Sequence, residues 1–513
     1  MTAETASSAP AAEPQPASAA GPAFDTLPLS PAALANLAQL GYAAMTPIQA
    51  AALPPGLAGR DLIAQARTGS GKTAAFGLVL LQTLDNRAGG FDADGNFVQA
   101  VQALVLCPTR ELAEQVTLEL RRLARAEDNV KVLTLCGGST MRPQLQSLAH
   151  GAHVVVGTPG RILDHLSRGS LDLAALKTLV LDEADRMLDM GFFDDIATVA
   201  ARCPPPPRAG TAAGTTGSTT GSTAPGRQTL LFSATFPPGI VKLSAALMHA
   251  PLHIELPEAP ASTQIRQRFV EVADDARLHT VGRLLLHARP ARTLAFCNTK
   301  AQCRDLVAVL RGQGLVALEL HGDLEQRDRD QVLVRFANGS ASVLVATDLA
   351  ARGLDIAGLE AVVNVDITPD PATHTHRIGR TGRVDAIGWA WSLASGEEMP
   401  RVAAIEQAGG FDATWVPADS LTPTATGPLR PAMTTLQILG GRKEKIRPGD
   451  VLGALTKDLG LSAAQIGKIN VNEFSSYVAV APEVADRALR GLNAGQVKGR
   501  RVKVRLLDDQ LED

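Results

Sequence analysis

The 513-residue chain reads as two tandem α/β domains, each a parallel sheet covered by helices, followed by a small α+β domain. Three observations predict this. Short apolar runs alternate with helical patterns from Phe24 to about Leu256 and again over residues 264–417, the rhythm of strands buried on both faces. Two connectors, Pro257 to Ser262 and Ala418 to Ala432, are too rich in Pro, Ala and Thr to continue a core. A chain of this length also exceeds what one compact core holds.

Taken in order, residues 1–22 lack periodicity and predict a disordered tail, after which Leu34, Leu37 and Leu40 supply one face of a helix. Domain one, residues 23–256, shows strand signals at Asp61 to Ala64, Leu104 to Leu106, Val132 to Leu135, Val154 to Val156, Leu179 to Leu181 and Leu230 to Phe232. Residues 204–226 interrupt it with four consecutive prolines and a Gly/Thr/Ser run, which predicts a flexible insertion. Domain two, residues 264–417, has strands at Thr293 to Phe296, Val343 to Ala346 and Ala361 to Val365. A linker at 418–432 leads to the third domain, 433–508, with strands at Thr434 to Leu439, Tyr477 to Val480 and Arg501 to Leu506 and a helix from Gly449 to Leu459.

A net charge of −3 makes the chain no polycation, so any nucleic-acid surface must be local. Five cysteines without a C-x-x-C pair are no disulfide framework and suit a reducing compartment. Neither a signal-like N-terminus nor an apolar run of the ~20 residues that span a bilayer is present. A cytoplasmic, monomeric protein with no membrane partner is expected.

Two motifs carry the chemistry. ARTGSGKT, Ala66 to Thr73, has the spacing of a phosphate loop, with Ala66 in place of the usual first Gly. Thr68, Gly69, Ser70 and Gly71 would present backbone N–H groups, Lys72 would neutralise phosphate charge, and Thr73 would hold Mg²⁺. LVLDEAD, Leu179 to Asp185, is an apolar strand ending in carboxylates: Asp182 can reach the metal shell through water, and Glu183 can polarise the attacking water. Alone, the first suits an ordinary strand-to-helix turn and the second a solvated strand end; in this order, each after an apolar run, they predict nucleoside triphosphate hydrolysis. Gln49 offers a donor and an acceptor matching the N6/N7 edge of adenine.

The motif series then resembles one family closely. Phe24, GYAAMTPIQ (Gly41 to Gln49), ARTGSGKT, PTREL (Pro108 to Leu112), Gly137-Gly138, TPGR (Thr158 to Arg161), the literal DEAD (Asp182 to Asp185), SAT (Ser233 to Thr235), LAFCNT, QRDR, ATDLAARGLD and HRIGRTGR follow in the order of a DEAD-box RNA helicase core. That resemblance implies two RecA-like domains, ATP and Mg²⁺ as cofactors, and RNA-stimulated hydrolysis that locally unwinds short duplexes. It places Tyr42 on the base, Asp355 on the ribose, and Arg380 and Arg383 as arginine fingers, commonly worth about 10³ to 10⁵ in rate. Arg110, Gly138, Thr158, Gly160 and Arg161 would line RNA in domain one, and Gln326, Arg329 and Thr347 in domain two, through phosphate, sugar and 2′-hydroxyl contacts. Ser233, Thr235 and His376 would couple hydrolysis to closure. The VDITPDPATHT segment (Val365 to Thr375) departs from the family's pattern, and the 204–226 insertion has no counterpart in it.

Residues Met433 to Leu506 hold 13 Lys/Arg against 6 Asp/Glu, a net of +7 inside an acidic chain. The charges cluster at Gly440 to Arg447 and Val497 to Arg505, so Arg442, Lys443, Lys445, Arg500 and Arg501 are candidate RNA contacts, with Phe474 and Tyr477 available for stacking. GRKEKIRPGDVLGALTKDLGLSAAQIGKINV, SYVAV and KGRRVKVRLL resemble the C-terminal RNA-binding domain of the DbpA subfamily, an RRM-like fold. By that likeness the target is a large-subunit ribosomal RNA hairpin with adjacent helices, met in pre-ribosomal particles. Phe474 to Val480 lacks the full stacking signature, which favours recognition by loops and basic patch over the sheet face. A general helicase of messenger RNA turnover or cold adaptation, and an ATP-gated RNA clamp, remain alternative readings.

Overall fold

The computed structural model describes residues 21–65, 69–91, 95, 97–206, 226–256, 265–351, 358–382, 387–424, 427 and 429–507. The chain divides into two compact units, Met1–Pro257 and Glu258–Asp513.

In the first unit the strands are β1 (Leu62–Gln65), β2 (Gly89–Phe91), β3 (Phe97–Gln99), β4 (Ala103–Leu106), β5 (Val132–Leu135), β6 (Val154–Gly157), β7 (Thr178–Asp182), β8 (Gln228–Ser233) and β9 (Leu252–Glu255). Seven form one parallel sheet in the order β5-β6-β4-β7-β8-β1-β9, and β2 and β3 form a separate antiparallel hairpin. Alternate residues feed two cores: Val180 joins Leu62, Val105, Val156 and Phe232 on one face, while Leu179 and Leu181 join Ile63, Leu104, Val155 and Leu231 on the other. Burial on both faces is why these strands read as unbroken apolar runs. The predicted first helix is Pro31–Gln39, whose N-cap Ser30 hydroxyl accepts the Ala33 N–H at 3.1 Å.

The second unit repeats the plan with β10 (Ile265–Glu271), β11 (Thr293–Cys297), β12 (Ala317–Leu320), β13 (Val343–Thr347), β14 (Ala361–Asn364), β15 (Gly388–Ala394) and β16 (Trp415–Val416). They form a parallel sheet in the order β12-β13-β11-β14-β15-β10-β16. The divergent VDITPDPATHT segment closes β14 and starts the helix Pro371–Ile378. There Asp370 is the N-cap, accepting the Ala372 and Thr373 N–H groups at 3.2 and 2.9 Å.

The third domain is an antiparallel sheet, β17 (Thr434–Ile438), β18 (Ile466–Val471), β19 (Ser476–Val480) and β20 (Val504–Leu506), in the order β18-β19-β17-β20. Its last strand begins at Val504, three residues later than the sequence predicts. A turn with Lys498 and Gly499 at positive φ, closed by hydrogen bonds between Val497 and Arg500, takes up the preceding basic residues.

Of the 418–432 segment, expected as a plain linker, the described residues lie along domain two. Leu421 and Leu429 enter its core, the Ala418 carbonyl accepts from Arg283 at 2.9 Å, and the Thr424 hydroxyl donates to the His287 carbonyl at 2.9 Å. Apolar residues spaced through the Pro/Thr stretch make it a strap.

Candidate functional site

In domain one, both groups of motif residues emerge at the carboxyl ends of the sheet strands, where open α/β sheets bind ligands. The neighbours β7, β8 and β1 deliver the nucleotide residues. Gly71 sits at φ 89°, and a Cβ there would lie 2.6 Å from the Gln49 amide nitrogen, so only glycine fits the last residue before the helix Lys72–Gln82. Gly69 and Ser70 precede it; Thr68 lies outside the described residues.

Lys72 is buried, with Nζ 2.7 Å from Asp182 Oδ1 and 3.8 Å from Glu183 Oε1. Burial opposes the ammonium, but the carboxylates outweigh it and hold Lys72 above its usual range. Burial pushes the Asp182 carboxyl up; Lys72 pulls against that and Glu183 adds to it. Asp182 Oδ2 is buried without a hydrogen-bond partner among the described residues. Thr73 stands half-buried in the first turn of the helix.

Glu183 adopts φ 53° and ψ 53°, a left-handed conformation costing on the order of 1 kcal/mol in a non-glycine residue. It turns the chain sharply from β7 into the helix Ala184–Asp189. Asp185 then binds the end of β8: its carboxylate accepts the Thr235 N–H at 3.0 Å and hydroxyl at 2.9 Å, and its own N–H donates to Ser233 Oγ at 3.3 Å. SAT and DEAD are thus joined within one unit.

Gln49 is buried, its Oε1 accepting the Thr46 N–H at 2.9 Å and its Nε2 donating to the Gly71 carbonyl at 3.1 Å. It therefore ties the start of its own helix to the phosphate loop. Tyr42 packs edge-on against Phe24 at 6.1 Å and donates its hydroxyl to Glu119 at 2.6 Å; burial raises the phenol further above its ordinary range.

The adjacent strands β4, β6 and β5 deliver the predicted RNA residues. Arg110 opens the helix Arg110–Leu123, and its guanidinium crosses Gly138 (φ 72°) so closely that no side chain fits there. Arg110 Nη1 is buried without a hydrogen-bond partner among the described residues. Thr158 is the N-cap of the helix Pro159–Ser167 and Gly160 is exposed; Arg161 turns back to the Ser139 carbonyl at 3.3 Å and Gln144 Oε1 at 3.1 Å. Gln144 also bonds the Cys136 carbonyl at 2.9 Å and His165 at 3.0 Å, locking two motif turns together. Sequence reasoning missed Gln144, a polar residue on an ordinary helix.

In the second unit Gln326 and Arg329 occupy the first turn of the helix Gln326–Ala337, and Thr347 ends β13. Arg377, also missed, is the buried hub. It donates to Asp348 at 2.7 and 2.6 Å, to the Asp366 carbonyl at 2.9 Å and to Asn298 at 3.0 Å, over the Phe296 ring. Its place inside HRIGRTGR was the available signal. His376 is half-buried and Arg380 buried; Arg383 and Asp355 lie outside the described residues.

Arg442, Lys443, Lys445, Arg500 and Arg501 are all exposed on two loops that touch, Lys498 Nζ donating to the Lys445 carbonyl. Phe474 is 59% exposed with Lys443 Nζ 4.1 Å from its ring centre, whereas Tyr477 is 4% exposed and unavailable for stacking. Tyr477 lies on the sheet face that domain two covers.

Three families match the chain in series: DEAD/DEAH box helicase over residues 46–243, helicase conserved C-terminal domain over 276–385, and DbpA RNA binding domain over 435–506. The chain is 51% identical over 486 residues to the ATP-dependent RNA helicase DbpA of Escherichia coli K12, covering 94% of this chain and 99% of that one. It is 43% identical over 371 residues to the ATP-dependent RNA helicase CshA of Listeria monocytogenes, covering 72% and 65%. The Saccharomyces cerevisiae Dbp5 structure bound to RNA and ADP BeF3 superposes with a TM-score of 0.65 at 30% identity, covering 77% of this chain and 96% of that one. Motif order, two parallel sheets and a basic antiparallel third domain agree with these matches, and the chain belongs to the DEAD-box ATP-dependent RNA helicases of the DbpA type.

Proposed function

We propose that the protein is an RNA-stimulated ATPase that locally unwinds short duplexes of large-subunit ribosomal RNA during ribosome assembly. The observation that carries the enzymatic reading is the buried Lys72–Asp182–Glu183 cluster at the end of a glycine phosphate loop. Gly69, Ser70 and Gly71 receive the phosphates with Thr68, and Lys72 moves from Asp182 to neutralise them. Mg²⁺ suits the donors present, a Thr73 hydroxyl and a buried Asp182 oxygen without a partner, both hard oxygens. When bound, it adds positive charge where phosphate charge develops. Glu183 orients and deprotonates the attacking water. Gln49 keeps a second amide hydrogen and lone pair for adenine while holding the loop, and Tyr42 flanks the base. Arg380 and Arg383 supply transition-state charge from domain two, Asp355 holds the ribose, and Ser233, Thr235 and His376 relay the nucleotide state.

Arg110, Gly138, Thr158, Gly160 and Arg161, with Gln326, Arg329 and Thr347, grip one strand through its backbone. Arg442, Lys443, Lys445, Arg500 and Arg501 hold a ribosomal RNA hairpin by its phosphates. The test compares ATPase stimulation by ribosomal RNA, its isolated hairpin and unrelated duplexes. Selective stimulation by the first two is expected; equal stimulation by all three would return the protein to the general helicases. Glu183→Gln is expected to bind ATP and RNA but not turn over, and full function from that variant would make the protein a clamp.

A further inference from the structure

One end of the domain two sheet carries a group of side chains that neither the nucleotide motifs nor the RNA motifs use. Strands β10 and β15 run in parallel register with Arg266 opposite Trp389 and Arg268 opposite Trp391, so all four side chains leave the sheet on one face. Trp391 enters the core on that face with Val270, Leu284 and Leu393. Trp389 stacks on it, the ring centres 5.9 Å apart and the planes 17° from parallel. The Arg266 and Arg268 guanidinium carbons lie 5.4 and 5.9 Å from the centre of the Trp389 ring. Arg266 is exposed, Arg268 and Trp389 are partly exposed, and Ile387 at the start of β15 is 54% exposed.

Two features separate this patch from ordinary surface. Among the described residues neither Arg266 nor Arg268 has a carboxylate partner; beyond the ring, Arg268 only donates to the Gln267 carbonyl at 3.0 Å. Arg277, Arg304, Arg377 and Arg401 of the same domain each lie against an Asp or Glu. The second feature is Trp391 Nε1, buried without a hydrogen-bond partner among the described residues, a cost that leucine at this position would avoid. What the indole gains is its stack with Trp389, which stiffens a platform beneath two cations. A guanidinium held over an aromatic ring keeps its N–H forks for phosphate oxygens and loses less freedom on binding them.

The register places the patch. Arg266, Trp389, Ala361, Thr293 and Val343 form one row across β10, β15, β14, β11 and β13 at the amino end of the sheet. Thr347 lies at the other end of β13, about 13 Å further along the strands. Ser340, just before Val343, meets the third domain, its hydroxyl 2.6 Å from that of Thr435. Three to four strand spacings, about 14–19 Å, separate that row position from Trp389 and Arg266. Roughly four to six stacked nucleotides, at ~3.4 Å each, cover this distance. We propose that Arg266 and Arg268, held by Trp389, form a further RNA contact that takes phosphates of the single strand flanking the hairpin on the third domain. The identity of that strand rests on the proposed hairpin reading; the affinity of the patch for RNA backbone does not.

The test uses the full chain and measures, across a salt series, binding of the bare hairpin and of the same hairpin with a single-stranded extension at either end. Arg266→Gln combined with Arg268→Gln should leave the bare hairpin's affinity unchanged. For an extended hairpin it should lower the log–log salt slope by about 1.4, two contacts at about 0.7 each. Trp389→Leu should weaken the extended hairpin about two- to fivefold, the range of an exposed cation–π contact, and Trp389→Tyr should restore it. Bare and extended hairpins affected alike, or an unchanged slope, overturns the proposal, and full affinity in Trp389→Leu removes the ring from it. Loss of binding to a glutamate-rich peptide in the arginine variant, with RNA binding intact, would instead make the patch a docking site for acidic protein. If the unsubstituted protein does not prefer the hairpin over unrelated RNA, the target reading fails. An unrelated single-stranded RNA then reads the patch, where the same drop in slope supports it and no drop refutes it.

Discussion

Lys72 and Asp182 form a buried pair, and removing one member strands the other's charge. Lys72→Met is therefore expected to destabilise domain one by roughly 3–5 kcal/mol besides abolishing ATPase. Lys72→Met with Asp182→Asn should recover most of that stability and none of the activity. Hydrogen exchange of the β1 and β7 amides in urea measures it, and a double variant as unstable as the single one would refute it. Domain two offers a titration instead. Burial, with Arg377 adding to it, lowers the His374 imidazole from 6.5 to about 4, so the unfolded chain binds that proton first. The contribution is complete above pH 6.5 and lost as pH falls towards 4, roughly 3 kcal/mol in all. All three tryptophans, Trp389, Trp391 and Trp415, lie in domain two, so their fluorescence follows its unfolding alone. His374→Gln should flatten this acid dependence; an unchanged profile would assign it elsewhere.

At the scale of elements, the insertion is the clearest case. The Arg227 N–H donates to the Pro205 carbonyl at 3.0 Å, so the chain entering 206–226 and the chain leaving it already meet. Replacing residues 206–226 by a two-residue turn should leave RNA-stimulated ATPase within about threefold, because loop length changes closure entropy only slowly. A collapse of activity in steady-state assays would show that the segment serves the site. The apolar strands β4 to β8 were legible because burial on both faces writes itself as a run of Val and Leu. By contrast β12, Ala-Leu-Glu-Leu, and β18, Ile-Gly-Lys-Ile-Asn-Val, mix polar residues and were not expected, and neither was the hairpin β2–β3. Short strands take their identity from the neighbours they pair with.

For the whole molecule, a net charge of −3 conceals a strongly basic third domain. Neutralising Arg442, Lys443, Lys445, Arg500 and Arg501 together should cut hairpin affinity and make it less salt-dependent, each lost phosphate contact lowering the log–log slope by about 0.7 to 0.9. A slope equal to that of the unsubstituted protein in filter binding would place the RNA elsewhere. The local chemistry was determined by the sequence alone. A phosphate loop, a strand ending in carboxylates and an arginine-rich motif are contiguous segments whose spacing is itself the signal, and they carried the family. Only the tertiary structure decided the contacts between distant segments: Arg377 as a hub, Gln144 as a lock, the linker as a strap, and Tyr477 covered rather than presented. Whether a tyrosine on a sheet faces water or a neighbouring domain depends on what packs against that face, and no spacing within its own strand records it.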